Sequence, residues 1–231
     1  MRISGLQKLT LLDYPGKVAC TIFTGGCNFR CPFCHNAGLV LPEEMPDDMA
    51  EEEILRFLKT RQGVLDGVAI TGGEPLLYDG TLDLLRKIRE LGFSIKLDSN
   101  GSFPERLRRV VDEKLADRIA MDIKNDPALY GETAGVPGLN LGPITESKEF
   151  LMECGIEYEF RTTVVKGIHT EESIRNAAQW IQGAREYYLQ QYVDSGNVIA
   201  PQGLGAFSAE EMKELCSCAR EFVPVAQVRG V

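Results

Sequence analysis

Three cysteines fall within the stretch GGCNFRCPFCHN, residues 25–36: Cys27, Cys31 and Cys34, at spacing C-x3-C-x2-C. Thiolates this close suit either a zinc ion or an iron–sulfur cluster. A closed tetrahedral zinc site takes four ligands, and His35 is the nearest further donor. It directly follows Cys34, however, and adjacent residues rarely aim both side chains at one small ion. Cys20, Cys154, Cys216 and Cys218 offer no partner CxxC pair. Three thiolates on one loop fit a cubane [4Fe-4S] cluster better: three irons take a cysteine each, and the fourth is left for an exchangeable ligand. A structural zinc module is the competing reading.

The elements that must carry this loop are legible as an alternation. Strand patterns run over 17–25, 67–73, 93–101, 117–125, 156–165 and 185–193. Helical patterns run over 49–63, 80–92, 104–116, 145–155, 171–183 and 208–223. Six strand-then-helix repeats, with no composition break, predict a single α/β domain over residues 1–231. Its parallel strands would curl into a partial (β/α)6 TIM-like barrel, with the cluster loop at 25–36 and a C-terminal helix and tail at 208–231. Polar and glycine-rich stretches follow the strands: GGEP at 72–75, DSNG at 98–101 and MDIK at 121–124. Strand C-termini are where such folds gather their chemistry.

Composition narrows the classes. Of 231 residues, 44% are hydrophobic and 26% charged, ordinary for a globular chain with a real core. A formal charge of −9 disfavours binding to nucleic acid or anionic membrane. No apolar run approaches a membrane span, and residues 1–17 lack a secretory leader's apolar stretch. Clustered cysteines then point to a reducing compartment, the cytoplasm.

CNFRCPFC, with Phe33 as the aromatic before the third cysteine, resembles the signature of radical S-adenosylmethionine (SAM) enzymes. GGEP is similar to that family's strand-end motif for the SAM amino group. CHN, DSNG, MDIK and Arg161 in FRTTVV resemble the glycyl-radical-enzyme activases. The stretch LDYPGKVACTIFTGGCNFRCPFCHNAGLV is most like the branch that activates anaerobic ribonucleoside-triphosphate reductases.

The resemblance implies a [4Fe-4S] cluster on Cys27, Cys31 and Cys34. It implies SAM held by Phe33, Gly72, Gly73, Glu74, Asp98, Ser99, Asp122, Lys124 and Arg161. Glu74 and the two glycine backbones would accept from the ammonium; Lys124 and Arg161 would receive the carboxylate. Asp98, Ser99 and Asp122 would gather oxygens, which related activases use for a monovalent cation. The implied reaction is reductive cleavage of SAM to a 5′-deoxyadenosyl radical, which abstracts a glycine Cα hydrogen on a partner enzyme. The electron would come from reduced flavodoxin or ferredoxin. The alternative within the family is another glycyl-radical enzyme, a peptide or a small molecule as substrate. One departure separates this chain from pyruvate formate-lyase activases: LQQYV, residues 189–193, lacks their histidine.

Each residue also has a plainer reading. GGEP alone is a common turn, Asp122 with Lys124 a simple salt bridge, and Arg161 a solvated side chain. His35 supports the SAM pocket or caps its loop. His169 is expected on the surface ahead of a helix. Cys20 reads as a buried small hydrophobe, Cys154 as a helix-end residue, and Cys216 and Cys218 as thiols on different sides of the last helix.

Overall fold

Six short β-branched runs separated by amphipathic ones dictate an α/β chain, and the computed structural model, which describes residues 1–43 and 45–230, has that form. The elements in order are β1 (Ile3–Thr10), β2 (Ala19–Thr24), α1 (Ala37–Val40), α2 (Glu51–Lys59), β3 (Gly67–Gly72), a 3-10 turn (Pro75–Leu77), α3 (Gly80–Glu90) and β4 (Ser94–Ser99). There follow α4 (Pro104–Asp112), β5 (Arg118–Asp122), α5 (Tyr130–Thr133), α6 (Gly142–Glu153), β6 (Glu157–Val164), α7 (Glu171–Trp180), β7 (Tyr187–Gln191), α8 (Ala209–Arg220) and β8 (Gln227–Arg229). The strands form an eight-stranded sheet in sequence order.

The six expected strands are β2 to β7. Parallel pairing aligns Thr24 with Gly72, Ile70 with Leu97, and Arg161 with Tyr188. Two strands were not expected. β1 lies antiparallel on β2, with register shifts, and the three-residue β8 adds parallel to β7. The sheet is therefore mostly parallel, flanked at each edge by a strand of weak pattern.

The chain packs as two compact units: Met1–Asn28 with Gly38–Ala120, and Phe29–Ala37 with the chain from Met121 onward. In the first, Ile22, Val68, Ile70, Ile95 and Leu97 are fully buried, as are Ile54, Leu58, Leu82, Leu85, Ile88, Leu107 and Val110 from α2, α3 and α4. Ile54 and Leu58 sit one helical turn apart on α2, which explains why its opposite face can be EE, R and K. Each such side chain contributes roughly 1.5–3 kcal/mol on burial.

In the second unit Phe160, Val164, Tyr187 and Leu189 of the strands are fully buried, as are Ile144, Leu151, Ile174, Ala177, Met212 and Ala219 of α6, α7 and α8. α7 and α8 each begin in a capping box, Thr170 with Ser173 and Ser208 with Glu211, which fixes where the chain turns from loop to helix. α6 starts at Gly142, three residues before the expected 145, because Pro143 is well suited to a first turn. Among the described residues no helix is long and apolar enough to cross a membrane.

Candidate active site

The functional residues divide between the two units, and the cysteine loop belongs to both: Cys27 to the first, Cys31 and Cys34 to the second.

In the first unit, β3 ends at Gly72, whose φ of 118° and close approach to the Thr24 backbone leave no room for a Cβ. A Cβ on Gly73 would collide with the Gly26 carbonyl, and Glu74 N donates to that same carbonyl at 2.8 Å. The GGE turn is thus seated directly on the residue before Cys27. The Glu74 side chain is fully buried. Its Oε1 accepts from Leu76 N and from Ser99 Oγ, both at 2.9 Å, and Oε2 accepts from Asn100 N at 2.6 Å. Glu74 therefore binds the end of β3 to the end of β4.

Asp98 and Ser99 point to opposite faces, as strand alternation requires. Ser99 is spent on Glu74, whereas Asp98 pairs with the buried Lys96 at 2.5 Å. The side-chain oxygens of Asp98 and Ser99 are thus turned to different partners, Lys96 and Glu74. Asn100, which sequence reasoning passed over within DSNG, reaches Asn28 Oδ1 at 2.9 Å and Cys27 Sγ at 3.9 Å through Nδ2. Its own Oδ1 accepts from Ser102 N at 2.9 Å.

In the second unit the loop is clamped by backbone. Cys34 N donates to Cys31 O at 3.0 Å, Arg30 N to Ala134 O at 2.9 Å, and Ala200 N to Pro32 O at 2.9 Å. Gly135, with φ of 67°, is needed because a Cβ there would collide with Arg30 O. Cys31 is buried, and burial pushes its thiol up to about 11 against the opposing charge of Lys124. Burial also raises the Cys34 thiol, with the Asn36 backbone and Lys124 opposing.

Asp122, at the end of β5, stands between two cations. Lys124 Nζ donates to Oδ2 at 2.9 Å, and Arg161 Nη2 and Nε to Oδ1 at 2.9 and 3.1 Å. The salt bridge of the plainer reading is real, and Asp122 shares it between two cations, Lys124 and Arg161. Burial works against the charged Asp122, but Lys124 and Arg161 together hold its carboxyl well below the usual range; Asp122 in turn raises Lys124 against its own burial.

His169 is not a surface residue: it is 4% exposed. It was misplaced because KGIHT reads as a polar approach to a helix, whereas the turn after β6 folds inward. Val165 N donates to Nδ1 at 3.0 Å, and Nε2 lies 2.9 Å from Lys124 O. Phe33 packs edge to face on this imidazole, centroids 6.3 Å apart. His35 is exposed. Cys20 is fully buried, its thiol pushed up to about 12 by burial, and Cys216 and Cys218 are buried within α8.

The donor chemistry fits an iron–sulfur cluster: three thiols on one clamped loop, with a Lys124 cation acting on two of them. Among the described residues no three His, Cys, Asp or Glu side chains are drawn up as a cage for a single ion.

Residues 21–181 match the radical SAM superfamily. A protein of Methanocaldococcus jannaschii, provisionally described as a glycyl-radical enzyme activating enzyme, is 29% identical over 99% of this chain and 96% of its own length. The GTP 3′,8-cyclase of Aquifex aeolicus is 27% identical over 94% of this chain and 69% of its own. The pyruvate formate-lyase-activating enzyme of Clostridium pasteurianum is 28% identical over 80% of this chain and 77% of its own. In fold, the chain resembles Streptococcus suis SuiB bound to its precursor peptide SuiA, with a TM-score of 0.71 and 15% identity, over 91% of this chain and 48% of SuiB.

Proposed function

This chain belongs to the radical SAM superfamily, whose cofactors are a [4Fe-4S] cluster and S-adenosylmethionine, and we propose that it is an activating enzyme that installs a glycyl radical on a partner enzyme. The partner is an anaerobic ribonucleoside-triphosphate reductase, and the electron donor a reduced flavodoxin or ferredoxin. The observation that carries this reading is the similarity to the M. jannaschii protein over nearly the full length of both chains. The cysteine loop and the strand-end motifs lie within that span.

When bound, the cluster and SAM would supply the one-electron chemistry that removes a hydrogen atom from a glycine Cα. The protein's part is to hold and orient. Cys27, Cys31 and Cys34 would hold three irons as thiolates, releasing their protons on loading, and the Lys124 charge would offset part of the resulting negative charge. The Gly72 and Gly73 backbones accept from the SAM ammonium, with Glu74 fixing their turn. Lys124 and Arg161, which also pair with Asp122, receive the carboxylate. Phe33 walls the pocket. The reading takes residues 1–231 as a radical SAM domain.

The test is anaerobic reconstitution with reductant, SAM and the reductase, followed by electron paramagnetic resonance. A glycine-centred doublet on the reductase supports the pairing; a silent reductase beside an active SAM-cleaving enzyme removes it. The similarity to a GTP cyclase favours a second reading, a radical SAM enzyme acting on a small molecule. Deoxyadenosine release stimulated by a nucleotide, with no glycyl radical on any partner, would select it.

A further inference from the structure

His169 belongs to none of the motifs used above, yet both of its ring nitrogens are committed. The Val165 N–H donates to Nδ1 at 3.0 Å, so that nitrogen carries its lone pair and the proton sits on Nε2. Nε2–H then donates to the Lys124 carbonyl at 2.9 Å. The face-to-edge contact with Phe33 completes a three-way joint between the cysteine loop, the end of β5 and the turn after β6. Lys124 lies two residues beyond the last residue of β5, outside the strand, so its carbonyl must find a partner elsewhere. A neutral imidazole can accept on one edge and donate on the other while its rigid ring packs against an aromatic. A leucine would fill the space and leave both backbone groups unmet.

We propose that His169 is a positioning residue that sets where the Lys124 ammonium stands relative to the cluster-binding cysteines. The inference rests on the reading that Cys31 and Cys34 are cluster ligands. Phe33, which stands between these two cysteines in the chain, packs on the imidazole that holds the Lys124 carbonyl, so the cysteine loop and Lys124 meet on one ring; Lys124 is also the first charge opposing burial at Cys31. A nearby cation stabilises the reduced, more negative cluster, so a Lys124 that swings away lowers the reduction potential. His169 thereby tunes the cluster without touching it.

The experiment compares wild type with His169→Leu and His169→Gln, reading the reduction potential of the reconstituted cluster and, in metal-free protein, amide hydrogen exchange over residues 29–36 and at Val165. His169→Leu should shift the potential to more negative values and speed exchange. His169→Gln, which keeps an N–H donor for the Lys124 carbonyl, should recover most of both. If the Leu variant does not fold, His169→Asn, whose shorter amide cannot reach Lys124, replaces it. Wild-type potentials in the variants, or equal shifts in Leu and Gln, overturn the proposal. Failure of the wild type to take up iron and sulfide instead overturns the cofactor reading, while the exchange comparison still judges the joint.

Discussion

Glu74 and Asp122 are both acids placed where a parallel strand ends, and they are stabilised by opposite means. Glu74 is fully buried and takes its hydrogen bonds from two backbone N–H groups and a serine hydroxyl. Asp122 keeps 28% of its side chain exposed and is met by two full cations. Neutral donors on a buried carboxylate hold backbone in place. A carboxylate met by two cations on a partly open face holds side-chain charge in place instead. Both are acids near a strand end, and the difference lies in the partners the fold brings to them.

Replacing each acid separates the two. Glu74→Ala leaves three donors without their carboxylate inside the first unit, and at about 1–3 kcal/mol for each unmet buried group the loss should be about 4 kcal/mol. Asp122→Ala leaves Lys124 and Arg161 beside one another, but solvent reaches them, and about 2 kcal/mol is expected after that screening. Urea unfolding of the metal-free protein measures both. Equal losses would break the comparison.

The same two sites mark how far the sequence could be read. The six parallel strands and their helices were legible because hydrophobic period and glycine punctuation agree along them. β1 was not: Gln7, Lys8 and Leu9 are exposed in sequence and lie on its outer surface, so no core-facing alternation announces a strand that is held by pairing with β2. β8 is three residues long, too short to carry a pattern. Within the candidate site, Lys124 and Arg161 were named from the resemblance, and strand spacing alone suggested the Asp122–Lys124 ion pair that the structure shows. Asn100 and His169 were missed because their roles come from contacts distant in sequence, Asn100 reaching back to Asn28 and His169 to Lys124. For Glu74 the sequence does not reveal the protein partners. Its position identifies an acid at a strand end, and only the fold tells that Ser99 and Asn100 already hold it.

Acid sharpens the contrast further. The Asp122 pKa is lowered in the fold, burial's upward push being outweighed by Lys124 and Arg161. The unfolded chain therefore binds the proton more readily. The stability Asp122 contributes is complete above the ordinary carboxylate pKa of about 4 and drains as pH falls below it. The Lys124 pKa is raised, so its contribution is complete below about 10.4 and is lost on the alkaline side. The stability difference between wild type and Asp122→Asn should thus be flat from about pH 5 to pH 10 and close below pH 4, within the roughly 2 kcal/mol set above. A difference that persists unchanged at pH 3 would mean that the Asp122 charge is not what stabilises the trio.

The smallest effect is the most diagnostic of function. Lys124→Met keeps a long unbranched stem and removes one charge, while Arg161 still pairs with Asp122. The Lys124 charge disappears while most of the packing stays. Binding of SAM to cluster-loaded protein should weaken about 10-fold, equivalent to about 1.4 kcal/mol, by anaerobic equilibrium dialysis. A SAM analogue whose carboxylate is esterified should bind wild type and variant alike, because it has no charge for Lys124 to meet. If the ester loses as much affinity as SAM, Lys124 acts through the cluster or the loop, and the trio is a structural salt bridge after all. If only SAM responds, Lys124 at the end of β5 meets the ligand's carboxylate, and the difference between Asp122 and Glu74 is the difference between a surface built for a ligand and a knot that holds two strand ends together.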